Sequence, residues 1–304
     1  MKFIKSLYKS IETALHTNKK IQKLKKKYPK IIFFLKNRTD KTKFTGLLFT
    51  ILSIIFIYVF LLFVGAVESF ITSGVITSVD FRVNALFYTF RDNILINLFT
   101  WITLLGESIT VIFFTILVSL FLWLNHKRWK IVSLWFTVIC SGGFTFVAKL
   151  FFQRPRPTNA VFLETSNSFP SGHATISIAF YGFLTYLAVR KIKNKKYQIL
   201  AILIGILLII LIGLSRLYLG VHYVSDVWTG YLIGSMCLII GITITEWKIF
   251  SSKTTFEEKK ILKNYRKIII IGLFSVASIF YIVYGLSHKP EFISKTSNIF
   301  EFNL

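Results

Sequence analysis

Two histidines in this chain have neighbours suited to proton and phosphoryl transfer. Asp226 follows His222 by four residues, so on a helix the carboxylate and the imidazole share one face. The carboxylate can then accept from one ring nitrogen and leave the other free to attack. His173 ends the stretch SFPSGH, where an apolar run begins. That stretch is typical of a helix start, whose N–H groups attract anions, and His173 would place a proton donor beside the bound anion.

Cations and small polar residues near these histidines could bind the oxygens of a phosphoryl group. Donors of this kind are what a phosphoryl-transfer transition state requires, because its charge spreads over the equatorial oxygens. The candidates for phosphate binding are Lys149, Arg156, Ser171, Gly172 and Arg216. Arg154 stays outside this set, as a residue that contacts a headgroup or orients its loop. The residues predict a phosphoryl-transfer site in which no metal or other cofactor is necessary.

Apolar helices must position these residues. The chain has 304 residues, of which 54% are hydrophobic and 16% charged, a composition typical of membrane proteins. Residues 44–67 carry no charge and make a helix of about 36 Å at ~1.5 Å per residue, enough to cross a hydrocarbon core of roughly 30 Å. The sequence predicts an all-α polytopic bundle with seven spans, at residues 44–67, 108–124, 131–148, 174–189, 199–214, 223–245 and 268–286.

Basic residues distinguish the two sides of this bundle. With residues 1–43 in the cytoplasm, the connections near 126–130, 190–197 and 246–267 fall on the same side, and together these stretches hold 29 of the 37 Lys and Arg residues. The positive-inside rule predicts this asymmetry. The candidate site residues then converge on the opposite side. We therefore predict a multi-pass plasma-membrane protein with a cytoplasmic N-terminus and an extracytoplasmic site.

The formal net charge of +24 does not indicate a nucleic-acid-binding protein, because the basic residues are spread over short loops beside apolar spans. Anionic lipid headgroups are their predicted partners. Residues 1–43 form either an amphipathic helix on the membrane surface or a basic tail that only sets orientation. Residues 80–105 are predicted to form an external helix along the interface. Cys140 and Cys237 lack metal-ligand spacing and are predicted to be packing residues.

The polar clusters also resemble the three-part signature of the type 2 phosphatidic acid phosphatase (PAP2) superfamily. Its parts match Lys149 with six residues before Arg156-Pro157, Pro170-Ser171-Gly172-His173, and Ser215-Arg216 with five residues before His222 and three more before Asp226. The resemblance implies a six-helix core and a metal-independent reaction through a phosphohistidine at His222. It also implies acid and base catalysis by His173, and phosphate binding by the five candidates above.

On this resemblance the chain has three parts: a basic segment at 1–43, a six-helix phosphatase core at 44–245, and residues 246–304 with a basic cytoplasmic loop, a seventh span and a short external tail. The expected function is hydrolysis of a lipid phosphate or diphosphate, with undecaprenyl diphosphate, phosphatidic acid and phosphatidylglycerol phosphate as candidate substrates. The alternative is a phosphotransferase that passes phosphate to a lipid or glycan hydroxyl. The motifs do not distinguish water from another acceptor, and the sequence indicates no oligomeric state.

Overall fold

The structure is a computed structural model that describes residues 18, 22, 23, 26–72, 74–251 and 261–287, with side chains in the last segment from residue 268. The predictions made for residues 1–17 and for the tail 288–304 lie outside this part of the chain. Residues 1–55 and 56–304 form two compact units. The first contains helix α1 (Pro29–Arg38), and α2 (Leu47–Thr72) begins in it.

The second unit is helical, as the composition predicts, and the polar clusters lie at the ends of its helices. Its further helices are α3 (Gly74–Thr89), α4 (Asn93–Leu104), α5 (Ser108–Leu124), α6 (Arg128–Phe152), α7 (Gly172–Lys191), α8 (Lys195–Tyr218), α9 (Val224–Ser251) and α10 (Ile261–Ser287). One π-helical turn, Ile178–Gly182, interrupts the α-helical geometry of α7. Such turns recur near functional sites because they shift the register of the side chains that follow.

Within the part of the chain that the structure describes, six helices are long and apolar enough to cross a membrane: α2, α6, α7, α8, α9 and the Ile268–Ser287 part of α10. The predicted second span at 108–124 forms α5 with the predicted bounds, but α5 has only 17 residues and passes the test for a membrane span only together with α4. Helices α4 and α5 together pass the same test as one span, bent by 46° at residues 105–107. The predicted external helix at 80–105 is accordingly divided between α3 and α4. Counting the bent pair gives the predicted seven spans.

Gly106 explains why the bend can pack closely against the bundle. A Cβ atom on this glycine would lie 2.6 Å from Cγ2 of Ile212 in α8 and 3.3 Å from Cδ2 of His173 in α7. Any larger residue would therefore push the bend away from both helices. The bend thus lies close to the N-terminal end of α7, where His173 is located.

Helix α9 lies at the centre of the second unit. Half of its apolar window is buried within the protein, whereas none of the corresponding window of α2 is. Two glycines allow α9 to approach α7, because a Cβ atom would lie 2.6 Å from the carbonyl oxygen of Ser171 at Gly230 and 2.4 Å from that of Thr175 at Gly234. This contact sets the N-terminal ends of α7 and α9 side by side.

The two cysteines pack as predicted. Both are free thiols, and their sulfur atoms lie 3.4 Å apart between α6 and α9. Cys237 belongs to a buried cluster with Ile233 and Met236, against which Cys140 packs.

Candidate active site

The structure brings the predicted catalytic residues to the adjoining ends of α7, α8 and α9. His222 lies between α8 and α9, two residues before α9 begins at Val224. The spacing predicted that His222 and Asp226 share one helix, and this prediction is wrong. The turn nevertheless brings the two side chains together, with Nδ1 of His222 3.4 Å from Oδ2 of Asp226. The hydroxyl oxygen of Ser168 lies at the same 3.4 Å from Nδ1. The imidazole therefore turns Nδ1 toward polar partners and Nε2 toward the opposite side.

The free side of the imidazole faces a guanidinium group. Nε2 of His222 lies 3.2 Å from Nη1 of Arg156. The pKa of His222 is lowered to about 4, because burial and the charges of Arg156 and Arg216 outweigh the hydrogen bond to Asp226, which raises it. At neutral pH the ring is therefore uncharged and Nε2 keeps a lone pair, which a nucleophile needs.

Asp226 is held by partners that the sequence did not reveal. Its Oδ1 lies 2.6 Å from Nη1 of Arg154, and its Oδ2 accepts hydrogen bonds from the backbone N–H of Tyr223 at 2.8 Å and from the Ser168 hydroxyl. Nη2 of Arg154 also binds Oδ2 of Asp80 on α3 at 2.8 Å. We call Asp80, Arg154, Ser168 and Asp226 the anchoring cluster.

The sequence predicts that Arg154 contacts a lipid headgroup or orients its loop. Its contacts in the anchoring cluster correct this prediction. The side chain of Arg154 is 8% exposed, while those of Asp80 and Asp226 are 1% and 0% exposed. Asp80 also accepts hydrogen bonds from the N–H and the hydroxyl of Ser225 in the first turn of α9. Arg154 therefore binds two buried carboxylates and fixes Asp226 against α3.

The predicted phosphate-binding cations lie on the other side of His222. Nζ of Lys149 donates to Oγ of Ser166 at 3.0 Å and to the carbonyl oxygen of Asn167 at 2.6 Å. Arg156 donates from Nε to the carbonyl oxygen of Ser166 at 2.6 Å. These bonds join Lys149 to the loop of residues 153–171, which connects α6 and α7, and fix Arg156 within that loop.

Glu164 of the same loop joins the remaining cation to this group. Its Oε2 lies 2.6 Å from Nη2 of Arg156, and its Oε1 pairs with Nη2 of Arg216. Burial raises the pKa of Glu164, but the charges of Arg216 and Arg156 outweigh it and hold that pKa well below the usual range of a glutamate. We call Lys149, Arg156, Glu164 and Arg216 the cationic cluster. Glu164 was not among the predicted residues.

The neutral phosphate-binding candidates lie at the start of α7. Ser171 is the N-cap residue, but its side chain makes no capping bond, and Oγ is buried without a hydrogen-bond partner among the described residues. Its backbone N–H donates to the carbonyl oxygen of Asp226 at 3.0 Å. Gly172 is the first residue of the helix. A buried hydroxyl without a partner is costly unless a ligand atom completes it.

The bent span contributes to the site through α4 and through the bend that follows it. Thr103, at the end of α4, accepts a 2.7 Å hydrogen bond from Nη1 of Arg216. Gly106 packs against His173 in the first turn of α7. The side chain of Arg216 is 1% exposed, so Thr103 and Glu164 hold a cation that water scarcely reaches.

Known proteins resemble the part of the chain that carries this site. The model of the PAP2 superfamily matches residues 130–250. Phosphatidylglycerophosphatase B of Bacillus subtilis (strain 168) is 35% identical over 97 residues, which are 31% of this chain and 47% of that protein. Undecaprenyl-diphosphatase of Sulfolobus acidocaldarius is 33% identical over 101 residues, 33% of this chain and 41% of that protein. The chain thus spans less than half the length of these curated relatives.

A solved structure extends the likeness to the fold. The crystal structure of the first transmembrane PAP2 type phosphatidylglycerolphosphate phosphatase from Bacillus subtilis superposes with a TM-score of 0.59 at 24% identity, covering 66% of this chain and 98% of that one. The two chains therefore share a helical fold. The matched segment contains every residue that the sequence predicted for the site, whereas Asp80 and Thr103 precede it. Residues 130–250 of this chain are therefore similar to the PAP2 superfamily.

Proposed function

We propose that the protein is a lipid phosphate phosphatase that works through a phosphohistidine at His222. The arrangement around this one imidazole carries the proposal. A buried carboxylate lies at Nδ1, and a guanidinium group lies 3.2 Å from Nε2. A phosphoryl group bound by that guanidinium would place its phosphorus within reach of the ring nitrogen.

In the first step the lone pair of Nε2 forms a bond to phosphorus, and the bond from phosphorus to the leaving oxygen breaks. Asp226 orients the ring and stabilises the positive charge that develops on it. His173 gives a proton to the leaving oxygen, which departs as an alcohol or as a lipid phosphate. Lys149, Arg156 and Arg216 balance the charge on the equatorial oxygens, to which Ser171 and Gly172 add neutral donors.

In the second step water replaces the histidine. His173, now without its proton, removes a proton from the attacking water, and the new bond from oxygen to phosphorus forms as the phosphorus–nitrogen bond breaks. The bonding electrons return to Nε2 and inorganic phosphate leaves. Asp226 and Arg154 remain in place throughout, since Asp226 faces Nδ1 rather than the reacting nitrogen and Arg154 binds Asp226 on its other oxygen.

The proposed substrates are lipid phosphates whose chains remain in the bilayer. Phosphatidylglycerol phosphate, undecaprenyl diphosphate and phosphatidic acid are the candidates, and the names of the two curated relatives support the first two. Within the proposed core at 44–245, candidate spans α6, α7, α8 and α9 end beside the site. The charge distribution places this site at the extracytoplasmic face of the plasma membrane, with residues 1–43 and the loop that begins at 246 on the cytoplasmic side.

Phosphate release from defined lipids tests the activity. Purified protein in detergent is incubated with each candidate lipid in the presence of a chelator, beside a His222→Ala variant. We expect release by the wild type and a loss of at least about a thousandfold in the variant. Equal release by both proteins would disprove the role of His222, and a requirement for added divalent metal would disprove the proposed chemistry. Transfer of phosphate to a lipid or glycan hydroxyl, without free phosphate, would establish the phosphotransferase instead.

The proposed orientation has a separate test. Leu163 in the α6–α7 loop is 75% exposed, so a Leu163→Cys variant offers a thiol beside the site. A membrane-impermeant maleimide should label it in intact cells, and a Lys127→Cys variant in the connection before α6 should react only after lysis. The reverse pattern would place the site in the cytoplasm.

A further inference from the structure

Glu164 occupies the groups that the proposed reaction needs for phosphate. Its two carboxylate oxygens contact Nη2 of Arg156 and Nη2 of Arg216, one oxygen to each guanidinium. A phosphoryl group presents oxygens to arginines in the same way, because both anions match the planar N–H groups of guanidinium. The carboxylate therefore stands where two oxygens of a substrate phosphate would bind.

The donors of Arg156 leave no second place for an anion. Nε donates to the carbonyl oxygen of Ser166, and Nη1 lies 2.7 Å from the carbonyl oxygen of Val221 and 3.2 Å from Nε2 of His222. Nη2 contacts Oε2 of Glu164 and Oγ of Ser166. Because a guanidinium has five N–H groups, a phosphate can bind Arg156 only by replacing one of these partners. Glu164 is the one that carries negative charge.

The exposed fractions of the Arg216 and Glu164 side chains indicate which member of the ion pair can leave it. The side chain of Arg216 is 1% exposed and is also held by Thr103, while that of Glu164 is 24% exposed. Glu164 lies in the α6–α7 loop, so its carboxylate can turn into water without uncovering the bundle. An arginine withdrawn from this position would instead carry an unpaired charge through an apolar interior.

We propose that Glu164 is a specificity residue that competes with phosphate for Arg156 and Arg216. This inference rests on the proposed function. A phosphate must displace the carboxylate to bind, so the site holds inorganic phosphate weakly and depends on the lipid part of the substrate for additional binding free energy. After hydrolysis the carboxylate returns to the two arginines and favours departure of the product. A proton-donating role does not fit, since the low pKa of Glu164 keeps the carboxylate ionised.

Binding of inorganic phosphate to the purified protein tests this competition without any turnover. Isothermal titration in detergent compares the wild type with Glu164→Gln, which keeps the shape of the side chain and removes its charge. We expect the variant to bind phosphate about tenfold more tightly, and vanadate to follow the same order. Equal or weaker binding by the variant would overturn the proposal. Glu68→Gln removes the same charge from an exposed position on α2 and should leave phosphate affinity unchanged.

A second variant and a kinetic measurement guard against loss of folding. Glu164→Asp keeps the charge but is one methylene shorter, so it cannot reach both arginines and should raise phosphate affinity by a smaller factor. Affinity no higher than that of the wild type would contradict the proposal even if Glu164→Gln failed to fold. With lipid substrate, Glu164→Gln should show stronger product inhibition by phosphate. If no lipid is hydrolysed by the wild type, the proposed function fails, but the binding comparison still decides whether Glu164 competes.

Discussion

The two sides of His222 contain similar residues in opposite proportions. On the Nδ1 side, the anchoring cluster sets one arginine between two carboxylates, and all three side chains are at most 8% exposed. On the Nε2 side, the cationic cluster sets two arginines and a lysine around one carboxylate that is 24% exposed. The first arrangement leaves an excess of negative charge beside the nitrogen that must stay protonated. The second leaves an excess of positive charge where a phosphoryl group would arrive.

Arg154 and Arg156 show that residue type alone does not determine these roles. They are two positions apart in one loop, yet Arg154 binds Asp80 and Asp226, whereas Arg156 lies against Nε2 of His222 and Glu164. The difference arises from the helices that each side chain meets. An arginine between buried carboxylates stabilises the protein, whereas an arginine paired with an exchangeable carboxylate remains available to a ligand.

The largest effect should follow from breaking the anchor itself. Asp226→Asn keeps the size of the side chain but removes the charge that stabilises the imidazolium and the preference for a proton on Nδ1. We expect kcat for phosphate release to fall by about 10³ to 10⁴, as when the orienting aspartate of a catalytic triad is neutralised. KM should change little, because the cationic cluster is untouched. Activity within tenfold of the wild type would show that Asp226 does not orient His222.

The paired variants Arg154→Gln and Arg156→Gln separate stability from phosphate binding. Arg154→Gln leaves two buried carboxylates without a cation, so we expect a loss of about 3–5 kcal/mol in the free energy of unfolding. Arg156→Gln should lose less stability, because the carboxylate it leaves, Glu164, is 24% exposed, and it should lower kcat/KM about a hundredfold, because one cation at the phosphoryl group is lost. Thermal unfolding in detergent and steady-state kinetics measure the two effects. If both variants lost the same free energy of unfolding and the same kcat/KM, the proposed difference between Arg154 and Arg156 would be wrong.

The protonation state of His222 provides a test that does not depend on substrate. Its pKa of about 4 lies below the ordinary value of 6.5, so the folded protein holds a neutral ring that gains a proton only as the pH falls through the lower value. Nitrogen chemical shifts of isotopically labelled histidine should therefore remain those of neutral imidazole down to about pH 5. A His222→Gln variant assigns the signal. If the imidazole of His222 titrated near pH 6.5, it would not be buried between the two clusters as described.

Asp80→Asn should have the smallest effect. The amide can still accept from Ser225 and Arg154, but the ion pair with Arg154 becomes an ordinary hydrogen bond, at a cost of about 1.5–3 kcal/mol. We expect kcat to fall less than tenfold, since Asp226 keeps its own pair with Arg154. A loss as large as that of Asp226→Asn would mean that α3 belongs to the catalytic machinery rather than to its support.

Hydropathy was sufficient to predict most of the helices but not the bend between α4 and α5. The hydropathy of residues 108–124 does not show that the helix breaks at 105–107. The bend brings Gly106 close to Ile212 and His173, a tertiary contact that hydropathy does not report. The spacing of Val83, Leu86, Phe87 and Phe90 did indicate a helix, and α3 contains the first three of them. Its contact with the site through Asp80 depends on tertiary packing, which periodicity does not report.

The residues of the signature could be predicted because their spacing is fixed along the chain. Glu164, Ser168 and Asp80 were missed because their roles depend on the partners that folding brings to them. Two signals in the sequence could have indicated them. Glu164 is the sole acidic residue between Glu107 and Asp226, and Asp80 is the sole acidic residue between Glu68 and Asp92. A carboxylate retained in such surroundings is expensive unless a cation meets it.

The hydroxyl of Tyr181 in α7 donates a 2.7 Å hydrogen bond to the carbonyl oxygen of Leu105, inside the bend of the second span. A backbone carbonyl left without a donor in hydrocarbon costs several kcal/mol. When the chain enters the bilayer from its N-terminus, α4 and α5 arrive before α7 has been made. The carbonyl oxygen of Leu105 therefore gains this donor only once the fourth span is in place, so the bend in the second span depends on a helix that follows it in the chain.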